Sequence, residues 1–237
     1  MTRQTLTISA PRISNSIPLP DSLTVGNSTD RFSQSSKYLG VTHDMHLTMT
    51  AHVVNLIRTA NFEMCCINSI RHYLSVQATK TLVSAFVLSW LDYCNSLLSG
   101  CPQYHLNRLQ KVQNNAARLI LKAPKTTHIT PHLRTLHWLP IDARIKYKLC
   151  SLCFGAITST GPVYLSDLLK IDTTSRQLRS SADIHILCTP SVNTKSYSER
   201  SFSYTAPTLW NTRPKDIRFS QSVSSFRSAL KTHLFPT

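Results

Sequence analysis

Acidic residues are scarce in this chain: 11 Asp and Glu occur among 237 residues, and only Glu63 and Glu199 are glutamates. No Asp-Asp or Asp-x-Asp pair is present. Two-metal phosphoryl chemistry needs carboxylates that share ions about 4 Å apart, so no local segment offers that clamp. Only acids distant in sequence and converging in space could build one. Glycine is equally sparse, and the five residues, Gly26, Gly40, Gly100, Gly155 and Gly161, form no Gly-x-Gly or Walker pattern. A Gly-x-Ser-x-Gly elbow is also missing. Nucleotide hydrolysis and acyl transfer therefore have no local support, and no cofactor or small-molecule substrate is expected. The most apolar stretch, Thr81 to Leu91, runs into Asp92 and Asn95. It falls short of the about 20 residues a membrane span needs, so it reads as a buried helix and no membrane partner is expected. Seven cysteines, an odd number, suggest no disulfide framework. With no signal-type apolar run after Met1, a reducing compartment is expected, nucleus or cytoplasm.

Positive charge is what the chain has in excess. Lys and Arg number 26, for a formal net charge of +15. Such a field draws polyanions, although basic residues also simply keep chains soluble. The charge is unevenly placed. From Cys101 to Cys150 the basic residues are Arg108, Lys111, Arg118, Lys122, Lys125, Arg134, Arg144, Lys146 and Lys148, against the single acid Asp142.

The first 36 residues are rich in Ser, Thr and Pro, with short strand patterns at Thr5 to Ser9 and Ser22 to Val25. Lys37 to Val41 reads as another strand, ending near His43 and Asp44. Helical periodicity then predicts a helix from about Thr50 to Tyr73, and a second from the N-cap Ser75 to about Ser99. Gly100 suits a helix C-terminus and Pro102 a first helical position. A third helix follows to Lys122. Short helices are expected from Thr130 to Trp138 and from Val163 to Leu169. A longer one opens at Pro140, with Ile141, Ile145, Leu149, Leu152 and Ala156 on one face. Residues 171 to 183 read as a polar loop, Ile184 to Cys188 as a strand, and Ser222 to Phe235 as a final amphipathic helix.

The third helix is the most informative. Leu106, Leu109, Val112, Ala116, Leu119 and Ile120 share one side of its wheel. Arg108, Lys111, Asn115, Arg118 and Lys122, spaced three, four, three and four, occupy about a quarter of the circumference beside it. A line of cations over about four turns can follow one strand of a duplex backbone, and Asn115 can donate to a phosphate. The plainer reading is a solvated face. No acid interrupts the row, whereas exposed helices usually mix signs.

Cys150-x-x-Cys153, with His128, His132 and His137 upstream, has zinc-ligand spacing. The two cysteines also fall within an apolar helical pattern, where they read as small core residues. Cys65, Cys66 and Cys94 read the same way, and no metal site is expected. Trp138, Tyr147, Phe154, Tyr204 and Trp210 read as core or corner packing rather than base-stacking platforms.

Several segments resemble the C-terminal region of LINE-type, jockey-like non-LTR retrotransposon reverse transcriptases. They are Lys37-Tyr-Leu-Gly-Val41, Leu91-Asp-Tyr-Cys-Asn-Ser-Leu-Leu98, Leu109-Gln-Lys-Val-Gln-Asn-Asn-Ala-Ala-Arg-Leu-Ile120 and Leu136-His-Trp-Leu-Pro140 with Arg144-Ile-Lys-Tyr-Lys148. Pro162-Val-Tyr-Leu165, Leu178-Arg-Ser-Ser181, Ala206-Pro-Thr-Leu-Trp-Asn211 and Phe226 to Phe235 follow. Each is weak alone, but the ordered series over residues 37 to 235 is specific. Three positions depart from the family pattern: Trp90 stands where Arg is usual, Asn115 where Ala is usual, and Arg213 where Leu is usual. Such changes fit a drifting element copy.

The resemblance implies a mainly α protein: a short N-terminal β-hairpin element (1–44, the end of a palm-like region), a helical thumb-like bundle (45–125) and a smaller mixed α/β tail (126–237). It places Lys37 and Tyr38 near a primer terminus and the third helix on template–primer duplex. The family's metal-binding aspartates would lie upstream of Met1, so this chain is expected to bind nucleic acid, to catalyse nothing alone, and to pack onto a missing palm. The rival expectations are a helical protein-interaction module and a decayed element product with no function.

Overall fold

The computed structural model describes residues 5–6, 8, 22–25, 28–172, 186–192 and 197–235. The fold is mainly helical behind a short antiparallel hairpin. β1 (Thr5–Leu6) pairs parallel with β3 (Ser28–Ser33), and β2 (Ser22–Val25) pairs antiparallel with β3. Lys37 to Val41 is not one strand, as its sequence suggests, but the bend of a hairpin between β4 (Ser35–Tyr38) and β5 (Val41–Asp44). Both loop residues, Leu39 and Gly40, have positive φ, 46° and 81°. That geometry matches the twist of the paired strands. The usual turn signal is hidden because Leu occupies a position that favours Asn or Gly. Tyr93 holds the bend, donating its hydroxyl to the Leu39 carbonyl at 2.7 Å.

Asp44 ends the hairpin and organises the first helix. Its carboxylate accepts the N–H groups of His46, Thr48 and Met49 and the Thr48 hydroxyl. α1 (Thr50–Ser69) then buries His52, Val53, Leu56, Ala60, Met64 and Ile67 at three- and four-residue steps. Cys65 and Cys66 fall off this stripe and are exposed rather than core residues as expected, whereas Cys94 is half-buried and packs against the core.

The second predicted helix is shorter than its periodicity suggests. Ser75 caps α2 (Val76–Val83) by accepting from the Ala78 N–H, a π turn spans Ser84–Leu88, and α3 (Ser89–Asp92) ends at Asp92. Cys94 then takes a left-handed conformation and a short 3-10 turn covers Asn95–Leu98. Nor is the stretch from Thr81 to Leu91 wholly buried. Val83, Val87, Leu88 and Leu91 face the core, while Phe86 and Trp90 face solvent.

α4 (Gln103–Leu121) buries Leu106, Leu109, Val112, Ala116, Ala117 and Ile120; Leu119 is half-buried. Each such Leu or Val contributes about 1.5–3 kcal/mol on burial. Pro102 sits at the N-cap rather than the first helical position. The guanidinium of buried Arg71 closes the far end of α4 through the carbonyls of Leu119 and Ile120. α5 (Thr130–Thr135) and α6 (Ile141–Ile157) follow. Two α4 glutamines fix the corner between them: Gln113 donates to the Leu139 carbonyl at 2.8 Å, and Gln110 accepts from the Ile141 N–H at 2.8 Å.

α6 joins two hydrophobic clusters. Ile141, Ile145 and Leu149 close the first, which begins at Val41; Cys150, Cys153 and Phe154 open the second. The C-terminal helices complete it. α7 (Val163–Ser166) is followed by α8 (Phe202–Asn211), α9 (Lys215–Arg218) and α10 (Val223–Leu234). Phe154 stacks on Phe226 at 4.2 Å, with Trp210 alongside. The expected 171–183 loop lies mostly outside the described residues, as do Ile184 and His185 of the expected strand. Leu187 forms a single bridge to Ile171. Arg200 ties this C-terminal part to the bundle, donating to the carbonyls of Leu47, Leu97 and Ser99.

Candidate nucleic-acid interface

The basic row lies on the side of α4 turned away from its buried stripe. Arg108, Lys111, Asn115 and Lys122 are exposed, and Arg118 is half-buried. Among the described residues the ion pairs are Arg144 with Asp92 and Lys146 with Asp142, so no acid offsets Arg108, Lys111 or Lys122. Lys122 ends the helix at φ 51°, which turns its side chain's backbone out of the helical path.

Arg118 differs from its neighbours. One Nη donates to the Thr127 carbonyl at 3.3 Å, while its Nε is buried without a partner. It faces a groove of about 410 Å³ between α1 and α4, where Asn61 and Asn68 of α1 stand beside Asn115, Arg118 and Lys125. Amide and guanidinium donors along a groove suit anionic oxygens, because each can donate without bringing a compensating negative charge. The row supplies charge and the groove supplies shape. Lys37 and Tyr38, both exposed on β4, do not line this groove.

A hydrogen-bonded chain behind the row has no signature in the linear pattern. From Asp44 it runs through Thr48 and Thr50 to His105 at the start of α4, with Thr50 Oγ1 3.2 Å from His105 Nε2. Burial, reinforced by Arg108 nearby, pushes the His105 pKa down, against the pull of Asp44. Burial and neighbouring His43 also push His52 down. Partial burial works to raise the Asp44 pKa, but the four hydrogen bonds from Thr48, Met49 and His46 outweigh it and hold the carboxyl below its ordinary value.

The residues with zinc spacing do not assemble. Cys150 and Cys153 point into the second cluster, fully buried, and burial pushes Cys150 up to about 11 and Cys153 higher still. His128 and His137 are exposed. Among the described residues no group of three or more His, Cys, Asp or Glu comes together around a metal position. Trp138, Phe154 and Trp210 are buried, and Tyr147 and Tyr204 half-buried, as packing residues. No helix of the described residues is long and apolar enough to cross a membrane. No family model, curated protein or solved structure matches the chain.

Proposed function

We propose that this chain is a catalytically incomplete piece of a LINE-type reverse transcriptase that binds template–primer duplex through α4. The observation that carries the reading is the solvent-facing row Arg108, Lys111, Asn115 and Lys122, unopposed by acid among the described residues. Backbone phosphates reward such an arrangement regardless of sequence, because each neutralised phosphate releases counterions. Asn115 and the asparagines of the adjoining groove add neutral donors for phosphate oxygens.

The three departures from the family pattern are compatible with a folded product. Trp90 and Asn115 are exposed. Arg213 is half-buried, with Nε donating to the Leu209 carbonyl and Nη2 to the Thr212 hydroxyl. It is therefore not the unpaired buried cation that would cost several kcal/mol.

Photo-crosslinking tests the placement. A primer–template carrying 4-thiouridine is expected to attach to peptides from α4 and the α1 groove. Attachment confined to α8–α10 would overturn the reading.

A second reading, packing onto a palm domain or another protein, is favoured by exposed Phe86, Trp90 and Tyr93 at helical spacing beside exposed Leu39. It predicts self-association that salt does not weaken.

A further inference from the structure

Another concave site forms where the Asn95–Leu98 turn, the His137–Leu139 corner, α6 and α10 meet. It encloses about 280 Å³, with walls that include Asp92, Asn95, Arg144, Tyr147, Lys148 and Lys231. No residue of the α4 row lines it, so binding here is independent of the role proposed for that helix.

The charges in this cavity do not cancel. Arg144 and Asp92 satisfy each other at 2.6 Å, with Arg144 Nε also donating to the Leu139 carbonyl. Lys148 and Lys231, brought from two helices, have neither an acid nor a hydrogen-bond partner among the described residues. Asn95 is only 5% exposed, and its side-chain oxygen is buried without a donor. A buried acceptor left bare in a folded protein calls for an explanation, and an absent ligand group is one.

These features set three requirements. Two ammonium groups select an anion. The bare Asn95 oxygen selects a ligand that also carries a hydroxyl or amino hydrogen. The volume, just below the range of about 300–1,000 Å³ for small-ligand pockets, admits one compact molecule and not a nucleic-acid strand. Tyr147 offers a ring against which a flat group can lie.

We infer that the cavity binds a phosphate monoester bearing a hydroxyl group, of the size of a nucleoside 5′-monophosphate. Lys148 and Lys231 hold the phosphate, and Asn95 accepts from the sugar hydroxyl. Arg144 keeps Asp92 from repelling the anion.

Isothermal titration of the full chain with AMP, adenosine and inorganic phosphate tests this. AMP is expected to bind saturably at one site, with inorganic phosphate and adenosine each about tenfold weaker or worse. Lys148→Ala with Lys231→Ala, both at exposed positions, is expected to weaken AMP by about tenfold or more while leaving the thermal melt unchanged. Arg108→Ala with Lys111→Ala is expected to leave AMP affinity unchanged. The inference is overturned by absence of saturable AMP binding at millimolar concentration, by equal losses in both double variants, or by inorganic phosphate binding as tightly as AMP.

Discussion

Arg71 donates from Nη2 to the carbonyl of Ile120 at 2.8 Å, 49 residues further along the chain, and from Nε to that of Leu119 at 3.0 Å. A buried cation thus closes the end of the helix that carries the basic row. The last carbonyls of a helix lack internal partners and carry the negative end of its dipole, so a guanidinium serves both needs. Arg71→Leu is expected to lower stability by about 3 kcal/mol, read as a fall in the urea midpoint. An unchanged midpoint would show that water replaces the guanidinium without loss.

Lys122 combines an exposed charge with an unfavourable backbone. Its φ of 51° suits glycine better than any side chain with a Cβ. Lys122→Gly is therefore expected to raise stability by about 1 kcal/mol while weakening binding to duplex. Gains in both stability and affinity would remove Lys122 from the interface.

Acid should loosen the joint between hairpin, α1 and α4. His52 accepts from the Thr42 N–H, and His105 is bonded to Thr50. Both pKa values lie below the ordinary 6.5 because burial favours the neutral ring. As pH falls, the unfolded chain takes up these protons first, so their contribution is complete above about 6.5 and is lost as pH drops through the lowered folded values. Asp44 adds the same sign at lower pH, its contribution being lost below the ordinary 3.8. The thermal melt at pH about 5.5 should lie below that at pH about 7.5, and the difference should shrink with both histidines changed to Gln. Identical melting temperatures for the native chain would contradict the assignment.

Thiol reactivity offers a check on packing. Cys65, Cys66 and Cys188 are exposed, whereas Cys101, Cys150 and Cys153 are buried. An aromatic disulfide reagent should label the first three within minutes and the other three only on unfolding. Rapid native labelling of Cys150 or Cys153 would mean that the second core cluster opens readily.

What could be read from the sequence was whatever depends on local periodicity. The helix carrying Leu106, Leu109 and Ile120, its exposed cations, and the final helix with Phe226 and Leu230 buried all follow from three- and four-residue spacing. The hairpin bend escaped because Leu39 adopts a positive φ that tertiary contact with Tyr93 sustains. α8 escaped because Pro207 lies inside it. At the candidate site, the groove required Asn61 and Asn68 of α1 to meet Asn115 and Arg118 of α4, a pairing with no local signal. Buried Arg71 and half-buried Arg200 escaped for a related reason: both act on carbonyls far away in the chain.

Salt dependence tests most directly whether α4 tracks a phosphate backbone. Fluorescence anisotropy on an RNA–DNA primer–template, across a salt series, would compare the native chain with Arg108, Lys111 and Lys122 changed to Ala. A control would change Lys170, Lys215 and Arg227 instead. The α4 variant is predicted to lose affinity and about 3 units of salt slope, with the control close to native. Equal losses in both variants would mean a diffuse field, and α4 would not be the interface.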